Sequence, residues 1–427
     1  MTVSRRSLLK ATAGAAALPT ILTAPLFGAD APSNRINMAL IGCGGMGRGN
    51  ARNLMQKPSV QFVAACDVDS NHAKQSAGTF NKKYNTKGTK TYSDYRKLVL
   101  NKNIDAVIIA TPDHWHASIG IACAQAGMDI YGEKPLTRYL KEGRELVNAV
   151  EDAGCVWQTG SWQRSKNQFH RACELVRNGR IGKLTHVEVG LPTGKTNKIS
   201  AAVQPVPKDL DYNAWVGPAR KLPYRSQQVH FNWRWVLAYG GGQLLDWIGH
   251  HGDIAHWGMD CDNTGPVSVK PIVATYPTGG LWNAPIHYKC ECTYKNGVKM
   301  TVADVANTSR GMGTKFIGEN GQWIHCGRKG IWASDPKVLR SVIQPNEIKL
   351  YNTGGDHHGN FVDCIRTRKK TITPIETAHR SASIGHLCMI ALETGQTISF
   401  NPDTEQILNN PKAAAMLQRA YRAPYTL

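Results

Sequence analysis

Apolar and polar positions alternate in blocks along the first third of the chain. INMALIG, from Ile36, is a short apolar run, and MGRGNARNLMQ follows with a helical pattern. QFVAACDVD, DAVIIATP, MDIYGEKP and CVWQTG read as further strands. SNHAKQSAGTFNKKY, HWHASIGIACAQAG and TRYLKEGRELVNAVEDAG read as helices between them. Strands that alternate with helices predict a parallel sheet with helices on both faces. Residues 35–161 are therefore expected to form an α/β Rossmann domain with a doubly wound parallel sheet. From residue 162 the pattern changes. KLTHVEVGL, VSVKPIVATY, IHYKCECTY, VKMTVADVA, TKFIGE and QWIHCG read as strands in succession. Asn296-Gly297 and Asn320-Gly321 are hairpin signals. Two helical stretches, GGQLLDWIGHHGDIAHW and HHGNFVDCIRTR, interrupt the strands. Residues 162–427 are expected to form an α+β domain with a large open, mostly antiparallel sheet.

The first residues fit neither pattern. SRRSLLK, with Arg5 and Arg6, precedes a soft run rich in alanine and glycine. Residues 1–31 resemble a twin-arginine signal peptide, which carries folded proteins to the periplasm. An ordinary secretory signal with two arginines in its basic start is the alternative. No cysteine follows the run to carry a lipid anchor, and no later stretch is long and apolar enough to span a membrane.

A length of 427 residues suits two domains. The formal charge is +20, and removal of residues 1–29, with Arg5, Arg6 and Lys10, leaves +17. The basic residues are spread out and no nucleic-acid reading motif accompanies them, so a solvated basic surface is expected. The 11 cysteines are odd in number and contain no CxxC pair. Neither a disulfide framework nor a metal site is expected.

Gly42-Cys43-Gly44-Gly45-Met46-Gly47 is a GxGxxG turn between a strand and a helix, the context that gives the motif a mechanism. Gly42 permits the tight turn, Gly44 lets the backbone approach a pyrophosphate, and Gly47 lets helix and strand pack closely. Asp67 ends the next strand. Its carboxylate suits the adenosine ribose hydroxyls and repels a 2′-phosphate, which predicts NAD(H) over NADP(H). Thr111, Pro112 and His116 in ATPDHWH follow another strand end, where ligands bind in such folds. They are expected to contact the cofactor, although His114 and His116 also suit a helix-capping role. Glu133 and Lys134 sit in GEKP, and Pro135 keeps Lys134 out of helical geometry at the cleft rim. In LLDWIGHHGD, Asp246, His250 and Asp253 stand at i, i+4 and i+7 and so share one face of a regular helix. That spacing selects His250 over His251.

These elements together resemble the Gfo/Idh/MocA family, named for glucose-fructose oxidoreductase, inositol dehydrogenase and a rhizopine-catabolism protein. The resemblance covers nearly the whole chain after the signal. It implies an active site between the two domains, sugar or cyclitol substrates, and a homodimer or homotetramer. It also implies a catalytic set of Lys134, Asp246 and His250. Gln163 and Arg164 resemble family positions that face the nicotinamide or substrate. Arg234, Asp253 and His358 are further substrate-binding candidates, as are Trp162, Trp233 and Trp235 for stacking on a sugar ring; for these a structural role is the equal alternative.

The residue types suit oxidation of a secondary alcohol. Histidine titrates near neutral pH and can take the proton. Asp246 would orient it or raise its basicity, and Lys134 would stabilise the alkoxide. The expected function is NAD-dependent oxidation of a hydroxyl on a sugar, glycoside or cyclitol, with a cofactor bound tightly enough to survive export. An NAD-dependent glycoside hydrolase working through a transient 3-keto sugar is an alternative, although relatives of that kind depart from GEKP. A non-catalytic nucleotide sensor is a second, against which the joint presence of Lys134 and His250 argues.

Overall fold

The computed structural model describes residues 35–196 and 202–427. The expected signal peptide, residues 1–31, lies outside the described residues. β1 (Ile36–Ile41), β2 (Val60–Cys66), β3 (Lys90–Tyr92), β4 (Ala106–Ile109), β5 (Asp129–Gly132) and β6 (Trp157–Thr159) form one parallel sheet, in the order β3-β2-β1-β4-β5-β6. This is the dinucleotide-binding order, with the reversal between β1 and β4 opening a crevice at the strand ends. β1 and β4 are buried on both faces, which explains their continuous apolar runs. The outer edge of β6 is not left open. Thr371 Oγ1 donates to the Trp157 carbonyl (2.7 Å), and the Thr159 amide donates to the Thr373 carbonyl (3.0 Å). Covering an edge in this way removes a pairing template.

The second sheet has nine strands. β7 (Leu184–Leu191), β8 (Ser268–Thr275), β9 (His287–Thr293) and β10 (Lys299–Asp304) are joined by β11 (Gly313–Gly318), β12 (Trp323–Gly327), β13 (Gly330–Ala333), β14 (Ile398–Asn401) and β15 (Gln406–Leu408). The order is β13-β12-β11-β7-β10-β9-β8-β14-β15. Its pairs are antiparallel except β7 with β10. Gly297 and Gly321, at the two expected hairpin turns, have φ of 83° and 73°, the left-handed region that glycine enters freely.

A 20-residue helix, Ile375–Thr394, joins the domains. Ile375, Ala378 and Ala382 pack into the core of the first sheet, while Ile384, Leu387 and Leu392 pack into the core of the second. Arg144 of the first domain binds Glu376 on this helix (2.9 Å) and Glu405 beyond it (2.6 Å). Among the described residues, no helix is long and apolar enough to cross a membrane.

Buried histidines give the fold a pH dependence. Burial holds His114, His251, His256, His357 and His386 down to about 3. In the unfolded chain they titrate near their ordinary value of roughly 6.5. Between those limits the unfolded state binds more protons, so stability is complete above 6.5 and is lost as pH falls toward 3. Buried carboxyls pushed up, such as Asp253 to about 6, oppose this but are outnumbered once His116, His250 and His325, also held down by burial, are counted with those five histidines. The expected result is a thermal midpoint that falls steadily from pH 7 to pH 5. A flat or rising midpoint in calorimetry would show that these rings are not buried neutral.

Candidate active site

The crevice continues into a cavity of about 740 Å³ between the domains. At one end lies the glycine turn. Gly42 has φ of 88°, and a Cβ there would stand 2.6 Å from the Ala110 carbonyl carbon. A Cβ on Gly47 would fall 2.1 Å from the Gly42 oxygen, so this glycine is what lets the helix Gly45–Leu54 lie against β1. Gly44 meets nothing within 4 Å, which leaves the space a pyrophosphate needs at a helix N-terminus. Met46 lines the same end. Cys43 has its side chain fully buried instead, and its amide donates to Asp67 Oδ2 (2.7 Å). Asp67 Oδ1 accepts the Asp69 amide (2.9 Å). A carboxylate offers about four acceptor positions, so capacity remains for a ribose diol. These features fit a dinucleotide.

The second domain roofs this end. The Ser70 amide donates to the Asp209 carbonyl (2.8 Å), and the Asp211 amide donates to the Val68 carbonyl (3.0 Å). Asp211, Trp215, His230 and Trp233 line the cavity opposite the glycine turn. His72 Nδ1 lies 3.8 Å from Asp67 Oδ2, and His230 Nε2 lies 4.0 Å from Asp69 Oδ2.

Thr111, Pro112 and Glu133 line the cavity toward Lys134. His116 does not line it. Its Nδ1 is 2.9 Å from the Pro135 carbonyl and its Nε2 is 2.9 Å from the Thr111 carbonyl, so the ring braces the GEKP turn from behind. His114 is likewise buried, 3.0 Å from the Trp215 carbonyl. Glu133 accepts from Asn50 Nδ2 (2.7 Å), and His358 Nε2 contacts Asn50 Oδ1 (3.2 Å) while its ring stacks on Tyr131. His358 therefore supports the turn through Asn50 and lies outside the cavity lining, contrary to the expected substrate contact.

Lys134, Asp246 and Arg234 meet. Lys134 Nζ donates to Asp246 Oδ1 (3.1 Å) and to the Asp246 carbonyl (3.0 Å), and Arg234 Nε donates to the same Oδ1 (3.2 Å). The two cations hold the Asp246 carboxyl below its ordinary value against a burial that pushes it up. His250 stands apart from this group. Its Nδ1 is buried without a hydrogen-bond partner, and its ring lies edge-on to Trp162 and Trp247. Burial, then the charges of Lys134 and Arg328, push it well below the ordinary value, so it is neutral.

The expected pairing of Asp246 with His250 fails for a geometric reason. The stretch is not one regular helix. An α-helix over Gly242–Trp247 passes into a π-helical turn, Ile248–Gly252, before α-helix resumes at Asp253–Met259. The wider turn cancels the i, i+4, i+7 alignment. Three successive carbonyls of the turn accept side-chain donors. Ser161 Oγ binds that of Gly249 (2.6 Å), the Gln163 amide that of His250 (3.0 Å), and Thr314 Oγ1 that of His251 (2.8 Å). Lys134 passes over Gly249, where a Cβ would sit 3.1 Å from its own.

Arg164 and Asp253 also depart from expectation. Both are fully buried, and Arg164 forks onto Asp253 (2.7 and 2.9 Å) and onto Asp262 (2.8 and 2.7 Å). They serve each other, not the cavity. Asp113, which the sequence reading passed over, lies in the cavity wall with Oδ1 buried and unpartnered, and burial pushes its carboxyl up.

Residues 36–161 match the family described as "Oxidoreductase family, NAD-binding Rossmann fold", and residues 166–427 match "Oxidoreductase family, C-terminal alpha/beta domain", both of the Gfo/Idh/MocA group. An uncharacterized oxidoreductase, YrbE, from Bacillus subtilis is 29% identical over 42% of this chain and 48% of its own length. A myo-inositol 2-dehydrogenase from Thermotoga maritima is 28% identical over 35% of this chain and 42% of its own. The chain thus spans less than half the length of these curated relatives. The WlbA dehydrogenase from Bordetella pertussis, solved with NADH and UDP-GlcNAcA, superposes with a TM-score of 0.63 at 18% identity, covering 86% of this chain and 99% of that one. That likeness concerns the fold.

Proposed function

The chain belongs to the Gfo/Idh/MocA oxidoreductase family, and from that premise we propose that it oxidises a secondary hydroxyl of a sugar, glycoside or cyclitol with a resident NAD. The observation that carries the proposal is one continuous cavity with the glycine turn and Asp67 at one end and Lys134 beside Asp246 at the other. Gly42, Gly44, Asp67, Thr111 and Pro112 would hold the nucleotide. When bound, the nicotinamide accepts and returns hydride. The chain's own residues handle charge and proton. Lys134, fixed by Asp246, places a cation where the alkoxide develops. We assign the proton to His250 on its residue type and neutral state, although its ring does not line the cavity. Arg234, stacked over Trp233 at 4.4 Å, shares Asp246 and directs its guanidinium toward substrate hydroxyls.

The contacts of Val68, Ser70, Asp209 and Asp211 over the adenosine end support a cofactor that does not leave between turnovers. Export of the folded, loaded protein through residues 1–31 is part of the same proposal. On this reading a second carbonyl substrate, or the product itself, would take back the hydride in the same cavity.

Two experiments test this reading. Protein purified without added nucleotide should release NAD on denaturation. Mixed with a panel of free sugars, cyclitols and nitrophenyl glycosides, it should show nicotinamide reduction that stops near one equivalent. Sustained nitrophenol release without net reduction would instead identify a glycoside hydrolase. Neither signal from any compound would reject both. For the cofactor, Asp67→Ala should lower the preference for NAD over NADP by about tenfold or more, since a charged hydrogen bond is worth roughly 1.5–3 kcal/mol. Titration of both nucleotides measures it, and an unchanged ratio would remove Asp67 from the ribose site.

A further inference from the structure

The chemistry above leaves one cation beside the site without a task. Arg328 stands on the hairpin between β12 and β13, with its guanidinium 4.8 Å from the Trp162 ring centre and 4.4 Å from that of Trp247. Two aromatic faces fix the plane of a group that otherwise swings freely. Its Nε donates to the Gln163 oxygen (3.3 Å), and the same amide binds the His250 carbonyl (3.0 Å). Its two terminal nitrogens have no hydrogen bond or ion pair among the described residues, and the side chain is exposed. The fork is therefore held in one plane, accessible and unfilled. The guanidinium is near enough to weigh on His250 and His251 and to feel Asp246.

The charge balance agrees. Asp246 already serves both Lys134 and Arg234. Burial pushes the carboxyls of Asp113 and Glu133 up, toward neutrality. Asp246, which Arg328 feels at longer range, is thus already committed to two other cations. A planar fork of this kind matches a carboxylate in two parallel bonds, a match that a neutral hydroxyl does not reproduce.

We propose that Arg328 receives the carboxylate of the substrate, so that the site takes an acidic sugar of the uronic type. This rests on the oxidoreductase reading for the reaction, but not for the binding. Calorimetry on the NAD-loaded full chain tests it with matched pairs: glucuronate and glucose, galacturonate and galactose, mannuronate and mannose. At least one acid should bind about tenfold or more tighter than its neutral partner. Arg328→Gln should bring that ratio close to one, and Arg328→Lys should restore only part of it. Raised salt should shrink the advantage. Equal affinity within all three pairs would overturn the proposal, as would a preference that survives Arg328→Gln. Tighter binding of glucose 6-sulfate than of glucuronate would overturn the carboxylate in favour of sulfate. Acid preference without nicotinamide reduction would sustain the proposal and reject the reaction. Turnover confined to neutral sugars would do the reverse.

Discussion

Replacing Lys134 by alanine is expected to lower kcat by about a hundredfold to a thousandfold, the roughly 10²–10³ that a group stabilising a developing oxyanion contributes, while bound nucleotide remains. The ammonium reaches only Asp246 among the described residues, at 3.1 Å to the carboxylate and 3.0 Å to the carbonyl. It does not contact the glycine turn or Asp67. Its removal leaves Asp246 paired with Arg234 at 3.2 Å, so the fold keeps a partner for that buried carboxylate. The loss should therefore appear in kcat, with nucleotide content and thermal midpoint nearly constant. Single-turnover reduction with the best substrate, beside nucleotide released on denaturation, measures both. A fall of less than tenfold would take Lys134 out of the reacting group, and loss of nucleotide would make it a cofactor anchor.

Arg164→Met should act in the opposite way. The guanidinium is 2% exposed and Asp253 is 1% exposed, so the substitution strands a carboxylate in the interior. Breaking a buried pair from one side costs about 3–5 kcal/mol. That corresponds to a drop in thermal midpoint of roughly 6–20 °C for a domain of this size. Burial already pushes Asp253 up to about 6 even with the arginine in place. Without it the carboxyl should go higher, and the variant should recover some stability as the medium is acidified toward pH 5. At a temperature where the variant is folded, KM for the sugar should match wild type. A raised KM with an unchanged midpoint would return Arg164 to the substrate site.

The first domain was legible because its signals are local. Gly42, Gly44 and Gly47 fall between an apolar run and a helix, and each has the packing that its position implies. The mostly antiparallel second sheet followed from alternation and two Asn-Gly turns, though the parallel β7–β10 pair left no trace in spacing. The helix Ile375–Thr394 escaped notice because its middle is buried nearly all round, and a helix enclosed by two cores shows no polar stripe. The site was legible by residue type but not by partnership. Asp246 and His250 were named, yet the π turn between them depends on donors from Ser161, Gln163 and Thr314, which sequence spacing does not connect. Arg164, Asp253 and His358 have chemistry suited to a ligand. Only the tertiary arrangement reveals that protein groups already occupy them. Arg328 gave no signal because nothing local distinguishes a hairpin arginine between two distant tryptophans.

The π turn at Ile248–Gly252 makes chain length itself a determinant of this site. Such a turn holds one residue more than an α-helix needs for the same advance. Deleting one residue there would let the helix close into a regular spiral, and the helix beyond would keep its facing, because the wide turn alone had absorbed the extra residue. His250, inside the turn, would then face new neighbours although no side chain had been changed, while Asp253 beyond it would keep its pairing with Arg164. Insertion and deletion thus offer this scaffold a coarse dial on its chemistry, separate from the fine adjustment that substitutions provide. Natural variants that differ by one residue in this stretch should differ in what they transform more than their overall identity suggests.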